Sequence, residues 1–100
     1  MPDIYFLPAP QPENRFPFGT LVITTNADRQ LDRRDVVSAL GRHGQGDWGD
    51  LPPEDSKENE LSLEFNGRLF SAYRDRKGVK FWVITEADRS ATTVLLPEDY

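Results

Sequence analysis

The chain has 100 residues, no cysteine, and 17 Asp and Glu against 12 Lys and Arg, for a net charge of −5. That length holds one domain with one core, the lack of cysteine excludes disulfides and thiolate metal sites, and the acidic balance runs against binding nucleic acid by phosphate neutralisation. No apolar run approaches the roughly 20 residues of a membrane span, and the proline-rich start lacks the apolar stretch of a secretory leader, so a cytoplasmic setting is expected.

Residues 1–17 carry five of the eight prolines. Proline removes amide donors and fixes φ, so this stretch reads as an extended arm ahead of a single α+β domain at 18–100. Ile4-Tyr5-Phe6-Leu7 is its one apolar segment, suited to an edge strand. Thr20 to Thr25, rich in β-branched residues, reads as a strand ending at Asn26. A helix over about 32–42 follows, with Asp32 as N-cap, Asp35 in its first turn, and Val36, Val37 and Leu40 at helical spacing. Gly41, Gly44 and Gly46 end it.

Gly46 to Pro52 is a loop by its glycines and proline. Pro53-Glu54-Asp55 is a helix start, with proline first and acids beside the positive end of the dipole. Leu61 to Phe65 admits two readings. Alternation and Asn66-Gly67 fit a hairpin, whereas Leu61 and Phe65 one turn apart fit a helix capped by Asn66-Gly67. Leu69–Arg74, Val79–Glu86 and Ala91–Leu96 then read as three strands joined by turns at 75–78 and 87–90. Phe81 and Val83 alternate with Trp82 and Ile84, so the middle strand is apolar on both faces and is expected to be central and covered on both sides. The predicted order is β-α-α-β-β-β, an antiparallel sheet formed by the three-stranded meander plus the N-terminal strand, packed against two helices.

Several clusters bear on chemistry. His43 is the single histidine, so a site with several imidazoles is excluded. Asp47, Trp48 and Asp50, followed by Glu54 and Asp55, crowd carboxylates as a hard-cation site would. Their spacing departs from known calcium loops, helix capping explains the acids equally, and no metal or other cofactor is assigned. Glu86, Asp88 and Arg89 gather at one turn, where Arg89 has the fork that grips a carboxylate or phosphate, although Asp88 and Ser90 are also ordinary turn formers. Charge is segregated along the chain. Acids dominate from Asp47 to Glu64, opposed only by Lys57, and bases dominate from Arg68 to Lys80, opposed only by Asp75.

The stretch from His43 to Tyr100 resembles a family of small bacterial proteins known only as hypothetical or plasmid-related. The resemblance rests on Arg42-His43, Gly46-Asp47-Trp48-Gly49-Asp50, Glu54-Asp55, Asn59-Glu60, Arg68-Leu69-Phe70-Ser71, Tyr73 and the block from Phe81 to Tyr100. Such relatives carry an alanine–leucine pair and a glycine before the Arg-Leu strand, where this chain has Ser62-Leu63 and Asn66-Gly67. That implies a helix end at 61–65 and a bacterial or mobile-element setting, with no activity attached.

The expected function is therefore non-enzymatic binding or regulation through the acidic helix and the Asp47-Trp48 loop. Its candidate contacts are Asp47, Trp48, Asp50, Glu86, Asp88 and Arg89, and its expected partner is another protein rather than nucleic acid or membrane. The alternative is a small RNase-like toxin or hydrolase in which His43, Glu86, Arg89 and Thr92 converge. A further possibility is an assembly component that lends its arm as an added strand.

Overall fold

Extended β-branched and aromatic segments alternate with capped, polar-faced ones, and the chain sorts them into a sheet and a helical layer. The structure, a computed structural model, describes residues 2–4 and 14–100. The strands are β1 (Pro2–Ile4), β2 (Thr20–Thr24), β3 (Leu69–Arg74), β4 (Lys80–Thr85) and β5 (Ala91–Leu95), and the helices are α1 (Thr25–Gln30), α2 (Arg33–Gly44) and α3 (Pro53–Phe65). A 3-10 turn, Pro97–Asp99, ends the fold. Among the described residues no helix is long and apolar enough to cross a membrane.

The sheet order is β1-β2-β5-β4-β3. β3, β4 and β5 form the expected antiparallel meander, whereas β2 joins β5 in parallel, so the sheet is mixed. β1 pairs antiparallel with β2 at the rim. Tyr5-Phe6-Leu7, the rest of the apolar arm segment, lies outside the described residues.

Among the described residues there are three α-helices where sequence predicted two. The extra one, α1, begins where β2 stops: Thr24 turns its hydroxyl onto the Ala27 amide (3.2 Å) and caps it. α2 starts behind Asp32, whose carboxylate accepts the Arg34 amide. α3 starts at Pro53 and ends with Asn66 in the left-handed region (φ 59°), so 61–65 is helix.

Register separates the two faces. Leu69, Ser71 and Tyr73 share one with Phe81, Val83, Thr85, Thr92 and Val94. This face forms the core with Val36, Ala39 and Leu40 of α2 and with Trp48. Phe16 and Phe18 also belong to that core, so Phe16, from the end of the sequence-defined arm, is already packed into the body.

Trp82 looks the other way, half-buried between Phe70 (ring centroids 4.9 Å) and Tyr100 (5.8 Å). β4 is internal, as expected. The expectation of helices on both sides of it is corrected: the rings of Phe70, from β3, and Tyr100, at the chain's end, partly cover the second face.

The β3 rim is closed without another strand. The Asn59 side chain donates to the Phe70 carbonyl (2.7 Å) and accepts from its amide (3.0 Å). Next along, the Ala72 amide donates to Trp48 O (3.1 Å) and Ala72 O accepts from the Asp50 amide (2.7 Å).

Asp75 organises the β3–β4 turn. Its buried carboxylate accepts the amides of Asp32, Lys77 and Val79 at 3.1, 2.9 and 3.0 Å. Burial works to raise its pKa, but those amides outweigh it and hold the carboxyl below its ordinary value. Asp75→Ala strands three donors and is expected to cost about 2 kcal/mol in chemical denaturation, with Asp75→Asn recovering part of the loss.

Candidate functional site

His43 ends α2 with its ring inserted between helix and sheet, fully buried. Its Nδ1 lies 2.5 Å from Ser71 Oγ and its Nε2 lies 2.9 Å from Thr85 Oγ1. Thr85 Oγ1 is 2.7 Å from Thr92 Oγ1, and Thr92 donates to the Phe18 carbonyl at 2.8 Å. A carbonyl only accepts, so this last bond fixes the direction of the chain. Thr92 spends its proton on Phe18 and must accept from Thr85, and Thr85 in turn accepts from Nε2–H. Nδ1 is then the acceptor for Ser71. The ring is neutral, its tautomer is set, and both nitrogens are occupied.

Burial, with the nearby Arg89 charge adding to it, pushes the imidazole pKa down to about 3. Phe16 and Trp48 meet the ring edge-on at 5.2 and 5.6 Å. His43 and Thr92 are thus joined through Thr85, but inside the core.

The turn after β4 holds the second predicted cluster. Asp88 is exposed and accepts the Ser90 amide at 2.9 Å, and the Ser90 hydroxyl and amide hold its pKa low. Glu86 sits 3.9 Å from Arg68, both half-exposed. Arg89, at φ 61°, turns its guanidinium inward. It donates to the carbonyls of Gly67 (2.6 Å), Ser62 (3.0 Å), Glu86 (3.1 Å) and Ala87 (3.2 Å). A cation on the last carbonyls of α3 is favourable to the helix dipole. The fork that sequence offered to an anion is engaged by the backbone.

The third cluster, in the loop before α3, divides in two. Trp48 is buried and its indole N–H donates to Glu60 (3.0 Å), which also pairs with Arg15 (3.0 Å). Asp47 is exposed and held by Arg42 through two bonds of 2.7 and 3.1 Å, which lower its pKa. Tyr73 donates its hydroxyl to Asp47 O (2.6 Å), fixing the loop on β3. Asp50 is exposed. Among the described residues no group of three or more His, Cys, Asp or Glu is arranged to hold a metal.

Both clusters therefore anchor α3, one from its middle and one from its end, and they share no common cleft. Sequence named the acidic helix as a contact surface but missed the apolar pair on its outward side. α3 turns Ser56, Asn59 and Leu63 toward the protein and exposes Leu61 (48%) and Phe65 (72%) one turn apart. Glu54, Asp55, Glu58 and Glu64 accompany them, exposed and without ion-pair partners among the described residues. The i, i+4 spacing of Leu61 and Phe65 was the available signal. The Asn59 clasp, which decides the facing, was not visible in it. Compared with known proteins, the chain matches no family model, no curated protein and no solved structure.

Proposed function

We propose that the chain is a non-catalytic protein-binding module whose contact surface is the outward face of α3, extended by the exposed carboxylates of Asp47 and Asp50. One observation carries this reading: Leu61 and Phe65, large apolar side chains at the outer pole of a helix, are ringed by Glu54, Glu58 and Glu64. Exposed apolar surface with a charged rim is the composition of a recognition face. Supporting it, His43 is sealed in the core and Arg89 is spent on carbonyls, so the hydrolase alternative has neither an accessible imidazole nor an open anion grip. The bacterial or mobile-element setting belongs to the proposal through the sequence resemblance, and a cytoplasmic one through the absence of cysteine.

The test is a paired capture from bacterial lysate with the wild-type chain and with Leu61→Glu/Phe65→Glu. Both positions are exposed, so the double variant is expected to keep its stability within about 0.5 kcal/mol while losing the protein that the wild type retains. Identical captured sets for the two forms would end the proposal.

A further inference from the structure

The second face of the sheet lies across the molecule from the helical layer. It carries Phe70, Ala72 and Arg74 from β3 and Lys80, Trp82 and Ile84 from β4, as the alternate registers require. Phe70 and Trp82 are half-buried, and Tyr100 beside them is 69% exposed. Arg68 lies 5.3 Å from the Tyr100 ring centroid and donates to its hydroxyl (2.7 Å), leaving a cation on the aromatic cluster.

Arg74 and Lys80 are exposed cross-strand partners. Among the described residues neither has an ion pair. Like charges directly opposite each other destabilise a strand pair, and an anion placed between them would remove that repulsion. The acids that bring the chain to −5 are concentrated on the loop and helix at 47–64, not on this face. Those bordering it are Glu86, which faces Arg68, and Glu98, while Asp99 is turned onto Thr24 and Asn26.

We propose that this face binds single-stranded nucleic acid, with bases stacking on Trp82, Phe70 and Tyr100 and phosphates meeting Arg74 and Lys80. Flat rings supply stacking that tolerates any base, and the paired cations supply the backbone contact. An acidic peptide would satisfy the cations and leave the aromatic cluster without use, so the nucleic acid is the better fit. The inference is independent of the α3 surface and uses none of its residues.

The experiment is fluorescence anisotropy of a labelled oligothymidine of about 12 nucleotides at low salt, with wild type and Arg74→Glu/Lys80→Glu. Saturable binding is expected, with log K falling against log salt at a slope of about −1.4 for two phosphates. The double variant should bind at least about tenfold more weakly, and wild-type tryptophan emission should be quenched on binding. No saturable binding at low salt overturns the proposal, and so does equal binding by the variant. Duplex DNA binding as tightly as the single strand overturns it, because paired bases cannot stack on the rings. Displacement by polyglutamate as effective as by unlabelled oligonucleotide also overturns it, in favour of an acidic protein partner.

Discussion

Lowering the pH from 6.5 to 4.5 is expected to remove about 2 kcal/mol of folding stability, at a slope that steepens toward about 1.4 kcal/mol per pH unit. The cause is His43, whose pKa burial lowers from 6.5 to about 3. Above pH 6.5 neither state holds the proton and the ring carries no penalty. Below it the unfolded chain takes up a proton that the folded chain refuses, so stability falls as acid is added until the folded ring also titrates near 3. The carboxylates whose pKa values are depressed act in a lower window. Asp35, Asp47 and Glu60 contribute stability above the ordinary carboxylate range and lose it as pH falls through and below that range. The interval from 6.5 to 4.5 therefore belongs to the imidazole. Urea midpoints at half-unit pH steps measure the slope, and His43→Gln should flatten it while lowering stability at pH 7. A wild-type stability constant over that interval would refute the sealed neutral ring.

Gly49→Ala is expected to cost at least about 3 kcal/mol, enough to unfold a marginally stable domain. Gly49 lies at φ 77°, where a side chain is strained, and an added Cβ would stand 2.0 Å from the Ala72 carbonyl oxygen. That oxygen accepts the Asp50 amide, so it cannot retreat without breaking the bridge that closes the β3 rim. Gly78 is the built-in control. It has a similar φ of 84° but nothing within 4 Å of its would-be Cβ. Gly78→Ala should therefore show the backbone strain alone, about 1 kcal/mol. Equal thermal midpoints for the two variants would mean that the loop does not press on β3.

Local chemistry made most elements legible. Asp32 marked the start of α2, Pro53 the start of α3, and Gly78 the turn between β3 and β4, because each acts on its own neighbours. α1 was hidden because Thr24 and Thr25 have β-branched side chains and Thr24 doubles as last strand residue and cap. The parallel seat of β2 beside β5 was not legible, since no local signal chooses among open strand partners. Trp82 was expected under a helix. A two-sided apolar strand announces cover without saying what supplies it, and here Phe70 and Tyr100 do. For the candidate site, sequence named Asp47, Asp50 and Asp88 as candidate contacts, and the structure leaves all three exposed. It missed that Ser71 and Thr85 complete the hydrogen bonds of His43, because their core-facing direction depends on register across three strands.

The plugged rim at Asn59 and Ala72 also limits how these molecules can associate. Ribbon growth by strand addition requires an open border at each end of every unit, so that a newcomer is captured and then captures the next. Here one border is already occupied by a side-chain amide and a loop of the same chain. Edge-to-edge joining through the opposite border stops at a pair, so the fold resists runaway polymerisation without any charged gatekeeper.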